Sequence, residues 1–178
     1  MPGCVVLVEG ASDHRALEVA ADRLGLDLDA AGVTVVVMHG ITNLPRHLRE
    51  LADDVRVTGL YDGAEGRYVR ATLERLGRTE RFFACERDLE EELIRALGPD
   101  RVVAVIEEAG ETGPWQILQR QPFHRGRDRV DVLYRFLGTK SGRNQRYARL
   151  LTEAMTPEEI PAPLAGVLRE AVGARPVG

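Results

Sequence analysis

Three carboxylates stand where carboxylates can do chemistry. Glu9 directly follows the apolar run Cys4-Val5-Val6-Leu7-Val8, Asp13 lies four residues later, and Asp62 directly follows the run from Val55 to Tyr61. Runs of this kind read as strands buried on both faces. The turn from such a strand into a helix aims side chains at the carboxyl edge of an open sheet, where α/β sheets take their ligands. Hard divalent cations take oxygen donors of this kind, often one or two carboxylates together with substrate phosphate and water. A cation so held polarises a phosphoryl oxygen or activates water. One such acid alone is better read as a solvent-facing helix cap, because anionic side chains favour first helical turns. Three at one edge favour a site.

The elements that must position these acids are legible in the pattern. Strands are expected at Cys4 to Val8, Val33 to Met38, Val55 to Tyr61 and, shorter, Arg81 to Cys85. Helices are expected from about Asp13 to Leu24, capped by Ser12, from Thr42 or Asn43 to Leu51, and from Glu65 to Leu76. Strictly alternating strands and helices predict an α/β domain with a four-stranded, largely parallel sheet flanked by helices. After Cys85 the pattern turns helical: Asp88 to Leu97, Arg101 to Ala109, Trp115 to Gln119, Val130 to Leu137, Asn144 to Met155 and Leu164 to Val172. The expected division is an α/β core over 1–98 and a mainly helical C-terminal half over 99–178, packed on that core. Gly110 to Gly113 and Arg125 to Asp128 are the expected exposed loops.

Composition narrows the partners. The chain has 178 residues, 44% hydrophobic and 29% charged, enough for a core without disulfides or a structural metal. A net charge of −4 argues against unspecific coating of nucleic acid, though a local basic face remains allowed. Basic residues gather late, with Arg120, His124, Arg125, Arg127 and Arg129 in one group and Lys140, Arg143, Arg146 and Arg149 in another. Phosphate-backbone contact is one reading, with Arg125, Arg127, Arg143 and Arg146 the candidates. A solvated face in an arginine-biased chain has near-equal weight. Of the 24 basic side chains only Lys140 is a lysine, which marks it as a chance survivor or as a place where an ammonium is needed. Trp115, Phe123, Tyr134 and Phe136 are expected to pack the helical half rather than stack bases.

Several chemistries are excluded. Cys4 and Cys85 are too few for a disulfide framework or a four-cysteine zinc site, and their apolar surroundings predict buried free thiols. His14, His39, His47 and His124 lack zinc-hydrolase spacing, although His39 and Gly40 follow the second strand near the site edge. The segment Gly138 to Arg143 mimics the end of a P-loop but lacks its upstream glycine, position 133 being Leu. The N-terminus shows no basic n-region, and Cys4 to Val8 is too short for a signal peptide or a membrane span, so a cytoplasmic protein is expected.

Val6-Leu7-Val8-Glu9-Gly10-Ala11-Ser12-Asp13 resembles the first Toprim motif, and Gly59-Leu60-Tyr61-Asp62-Gly63-Ala64 resembles the second, the Asp-x-Asp strand end. The chain is most similar to the Toprim domain of OLD-type (overcoming lysogenization defect) nucleases. Val35 to Asn43, Cys85 to Leu97 and Gln119 to Leu151 also look like small stand-alone bacterial proteins of that group. The resemblance implies a Toprim fold and two-metal cleavage of phosphodiesters with Mg²⁺ or Mn²⁺. Glu9 and Asp13 would be metal ligands, Glu9 also a proton carrier, and Asp62 the first acid of Asp-x-Asp. Asp88 and Glu90 resemble the later acidic motif that holds a second metal, although an acid-rich helix start reads equally well. Lys140 resembles the lysine that supports the transition state. The implied partners are nucleic acid, DNA before RNA, and a separate ATPase, since this chain carries no ATPase domain; a homodimer is allowed. The chain departs from the pattern at Ala64, where the second acid should stand, and Glu65 is the nearest substitute. That departure keeps open a catalytically weak nucleic-acid-binding module. A small-molecule phosphohydrolase or regulatory partner of an ATPase is the third reading.

Overall fold

The fold is described from a computed structural model, which covers residues 3–52, 54–140 and 142–173. Four strands form one parallel sheet in the order β2-β1-β3-β4: β1 (Cys4–Val8), β2 (Val33–Val37), β3 (Arg56–Tyr61) and β4 (Phe82–Ala84). Helix α1 (Ala11–Arg23) joins β1 to β2, α2 (Leu44–Glu50) lies between β2 and β3, and α3 (Gly66–Arg75) lies between β3 and β4. The expected α/β core is present, strand for strand.

The sheet divides two apolar cores because side chains alternate along a strand. Cys4, Val6 and Val8 of β1 face the larger core, with Ala16, Leu17 and Ala20 of α1. Leu7 faces the smaller, with Leu44 and Leu48 of α2 and Val69 of α3. The larger core continues through the helical half, taking in Leu93, Leu133, Tyr147, Leu164 and Leu168. That half comprises α4 (Leu89–Leu97), α5 (Pro99–Glu108), α6 (Thr112–Arg120), α7 (Arg129–Gly138), α8 (Arg143–Glu153) and α9 (Ala162–Val172). α8 packs along α1, and α9 lies against β1, β3 and β4. At Gly166 of α9 a Cβ would come within 2.5 Å of the Phe83 ring, so only glycine lets α9 lie this close to β4.

Two local expectations shift. α1 begins at Ala11 rather than Asp13, with Gly10 at its N-cap, so Ser12 lies inside the helix. The Asp13 carboxylate accepts the Gly10 N–H at 2.8 Å, which satisfies a donor the helix start leaves open and makes a Ser12 cap unnecessary. α6 begins at Thr112, so the expected loop loses Thr112 and Gly113 to a helix whose Trp115 is buried. Arg101 to Ala109, whose pattern fits helix or strand and is expected as helix, is helical: Val102, Val105 and Ile106 are buried at helical spacing.

Candidate metal and nucleic-acid site

β1 and β3 are neighbours in parallel register, with Leu7 opposite Gly59. Glu9 and Asp62, two and three residues beyond that pair, therefore emerge side by side at the carboxyl edge. The approach is close because Gly59 has no side chain; a Cβ there would sit 2.4 Å from Phe82 and 2.7 Å from the Leu7 carbonyl. The turn after Glu9 is tied to the neighbouring strand end, where Gly40 N–H donates to the Glu9 carbonyl at 3.2 Å. His39 before it is a non-glycine residue with φ 57° and is exposed at this edge.

The Asp62 turn is anchored from the other side. Gly63 N–H donates to the Arg87 carbonyl at 3.0 Å, and a Cβ on Gly63 would lie 2.1 Å from the Glu86 carbonyl oxygen. This contact is backbone against backbone, so no side chain can give way. Gly63→Ala is therefore expected to displace the Asp62 turn from the 85–87 segment and to cost about 1–3 kcal/mol of stability. Chemical denaturation checks it; an unchanged midpoint would show that the turn relaxes freely.

The five predicted acids share one electrostatic neighbourhood. Asp13 is raised to about 7, first by desolvation, against which the Gly10 hydrogen bond acts, and then by the charges of Glu90, Glu9 and Asp88. Asp62 is also raised to about 7, by desolvation and then by Asp13, Glu9, Asp88 and Glu90. Glu9 is raised by desolvation and by Glu65, so Glu65 stands close enough to act on it while Ala64 is exposed and carries nothing. Glu90 is raised by desolvation and Asp88, with Asn144 and Ser12 hydrogen bonds opposing. Glu9 Oε2 is buried without any hydrogen-bond partner.

Asp88 fills both roles weighed for it. One oxygen, Oδ1, caps α4 by accepting Glu91 N–H at 3.0 Å, and Oδ2 accepts the Tyr134 hydroxyl at 2.6 Å. Tyr134 is held above its ordinary range, to about 12, chiefly by that hydrogen bond. Arg87 stands over the Tyr134 ring, 3.9 Å from its centroid, and 3.9 Å from Asp88 and Asp131. Sequence reasoning assigned Tyr134 to packing and did not single out Arg87. The only available signal was their charge and polarity near Asp88, and the contact joins residues far apart in the chain.

A crevice of about 800 Å³ is lined by the acids Asp62, Asp88, Glu90 and Asp131 together with Arg87, Arg127 and Arg135, Tyr134 and Asn144. Gly138 and Thr139 lie at its border, and Lys140 follows them, exposed. The candidate arginines separate. Arg125 and Arg127 are exposed. Arg143, expected at the surface, is buried: its guanidinium donates to Glu111 at 2.8 Å, to Thr139 Oγ1 at 2.6 Å and to the Phe136 carbonyl at 3.2 Å. Burial alone would raise Glu111, but hydrogen bonds from Arg143 and Tyr147 hold it below its ordinary range. Arg146 points the same way, donating to the Ala109 carbonyl at 3.0 Å with Glu111 at 3.7 Å. The helix-face spacing of Arg143, Arg146 and Tyr147 was correct, but that face turns inward on Glu111 and leaves Arg143 no reach to phosphate.

Whether the acids suit a divalent cation can be tested on the site itself. Among the described residues no three His, Cys, Asp or Glu side chains converge tightly enough to grip one ion as they stand. The donor set nevertheless fits. Every candidate donor is a carboxylate oxygen, the hard donor that Mg²⁺ and Mn²⁺ prefer. One such oxygen is buried and unpartnered, and no cationic side chain is among the causes acting on Asp13, Asp62 or Glu90.

Residues 3–59 match the family model described as "Overcoming lysogenization defect protein-like, TOPRIM domain". No curated protein matches the chain in sequence. Among solved structures, the C-terminal region of the Burkholderia pseudomallei OLD protein superposes with TM-score 0.71 at 20% identity, over 96% of this chain and 97% of that one. The C-terminal region of the Xanthomonas campestris pv. campestris OLD protein gives TM-score 0.71 at 22% identity, over 98% and 96%. Those identities establish a common fold that includes the helical half, while the sequence match covers both β1 and the turn bearing Glu9 and Asp13. Residues 3–59 are thus similar to an OLD-like Toprim domain, within a fold that the C-terminal regions of OLD proteins share along nearly the whole length of this chain.

Proposed function

We propose that this protein is a nuclease that cleaves phosphodiester bonds with Mg²⁺ or Mn²⁺ held at its acidic edge. The observation that carries the reading is the meeting of Glu9, Asp13, Asp62, Asp88 and Glu90 in one field, partly buried, with no cationic side chain among the causes acting on Asp13, Asp62 or Glu90 and with Arg87 reaching only Asp88, at 3.9 Å. Carboxylates left in that state lose stability unless they are protonated or paired. Glu9, Asp13 and Asp62 would hold one ion, with Asp88 and Glu90 the donors nearest a second. When bound, the metal supplies Lewis-acid polarisation of the phosphoryl oxygen and acidifies water.

The chain's own residues do the rest. Glu9, whose carboxyl accepts from the Ile41 backbone while Oε2 stays buried without a partner, would take a proton from the attacking water. Tyr134 and the α4 N-terminus hold Asp88 in one orientation. Arg125 and Arg127 contact phosphate, and Lys140, on the segment bordering the crevice, steadies negative charge as it develops. DNA is the first substrate to examine, and a separate ATPase is a fitting partner. Among the described residues no helix is long and apolar enough to cross a membrane. Cys4 and Cys85 are buried free thiols, in keeping with a reducing, cytoplasmic setting.

The test is cleavage of supercoiled plasmid and of labelled single strands with Mg²⁺, Mn²⁺ or EDTA. Cutting with a metal and none with EDTA is the expected result. Lys140→Ala is expected to lower the rate by about 10²-fold with little change in metal requirement. Ala64 favours a second reading, a binding module with weak or no catalysis. Salt-sensitive binding of polynucleotide without cutting by either metal would select it.

A further inference from the structure

Phe123 breaks the expectation that the aromatics of the helical half pack inside it. Trp115 and Phe136 are buried, but Phe123 is 54% exposed in the short turn Pro122–His124. The exposed ring is not bare. Arg127 lies 3.9 Å and Arg135 4.9 Å from its centroid. Arg127 is fixed a second time, its Nε donating to the Phe123 carbonyl at 3.0 Å. In the same crevice Arg87 stands over Tyr134, whose hydroxyl donates to Asp88, and lies 3.9 Å from both Asp88 and Asp131. Beside the acids, the crevice therefore carries cations set over aromatic rings.

Such a pair differs physically from a free surface arginine. A guanidinium held against a ring has lost its rotamer freedom in advance, and its outer face is planar, weakly hydrated and able to stack. Its edge N–H groups can meet phosphate oxygens, those of Arg87 in competition with Asp88 and Asp131, each 3.9 Å away. Unstacked bases gain from such a platform, because their faces are open to it. A duplex buries those faces in its own stack and offers only phosphates, which any cation can meet. A wall built for charge alone would need no rings.

Building on the nuclease reading of the same crevice, we infer that its substrate is single-stranded nucleic acid, an unpaired end or flap, laid with its bases on the Arg127–Phe123 and Arg87–Tyr134 platforms. The strand's backbone then lies toward Asp62, Asp88 and Glu90. The arginines select unpaired nucleotides, and the acids act on the phosphodiester beside them.

Fluorescence anisotropy with the full chain in EDTA separates binding from cutting. The ligands are a labelled oligonucleotide of mixed sequence, as DNA and as RNA, each alone and annealed to its complement, at one fixed salt concentration. The wild type is expected to bind the single strand at least about tenfold more tightly than the duplex. Arg127→Lys keeps the charge and removes the plane; Phe123→Leu keeps the apolar volume and removes the ring. Each is expected to weaken single-strand binding about tenfold, and Phe123→Leu, which leaves every phosphate-contacting cation in place, to leave duplex binding within about twofold. Equal wild-type affinity for both forms, or equal weakening of both by Phe123→Leu, overturns the inference. The DNA and RNA arms show which sugar is accepted. Single-strand preference without metal-dependent cutting would sustain this inference and defeat the nuclease reading; cutting without that preference would do the reverse.

Discussion

Glu9→Gln and Asp62→Asn are each expected to lower metal-dependent strand cleavage by about 10²–10³-fold or more, with the fold intact. Both substitutions keep shape and remove one negative charge and one anionic oxygen donor. Glu9 and Asp62 leave adjacent parallel strands, so either change strikes the same centre from a different element. The physics gives a control against trivial loss by unfolding. Each acid is held at a cost, by burial and by like charges, so neutralising it is expected to raise stability in EDTA even as activity falls. Loss of activity with an unchanged or higher melting temperature locates the reaction here. Cleavage that survives both substitutions would place it elsewhere.

The second large effect is a coupling of pH, metal and stability. Asp13 and Asp62 are both raised from 3.8 to about 7 in the folded chain. A carboxyl with a raised folded pKa binds its proton more tightly when folded than when unfolded. Its contribution is therefore fully favourable below about pH 4 and is lost as pH rises through about 7. Each raised unit corresponds to about 1.4 kcal/mol. Asp62 is partly open to solvent and the two acids titrate together, so a combined loss of about 2–4 kcal/mol is the sensible scale. In EDTA, moving from pH 5 to pH 8 is expected to lower the melting temperature by about 10 °C. At pH 8, Mg²⁺ or Mn²⁺ at 100 times its Kd is expected to restore about 2.7 kcal/mol, because the ion binds the folded chain alone. Asp62→Asn should flatten the pH dependence and shrink the metal response together. A melting temperature indifferent to pH in EDTA and to both metals would show that these acids do not share one cation.

The sequence by itself determined the sheet and the acids at its edge. Val6-Leu7-Val8-Glu9-Gly10 and Leu60-Tyr61-Asp62-Gly63 are local signals: a continuous apolar run forms a strand buried on both faces, and the polar break after it must fall at the strand end. Alternation of strands with helices then makes the sheet parallel and gathers those ends on one edge. The helices of the second half were legible for a similar reason, since helical periodicity is written within a few turns. Only the tertiary structure decided which face each helix turns inward. Arg143 and Arg146 have the spacing of an exposed basic stripe, yet Glu111, two helices away, draws Arg143 inside and lies 3.7 Å from the still exposed Arg146, and no local pattern encodes so distant a partner. Phe123 is the converse case. Its apolar character suggests packing, but it stays 54% exposed under Arg127 and Arg135, whereas Tyr134 packs against the larger core as expected and still offers its hydroxyl to Asp88. A residue's type and spacing fix the element it joins. Whether its side chain is buried or offered to a ligand depends on contacts between segments far apart in the chain, and those exist only once the chain has folded.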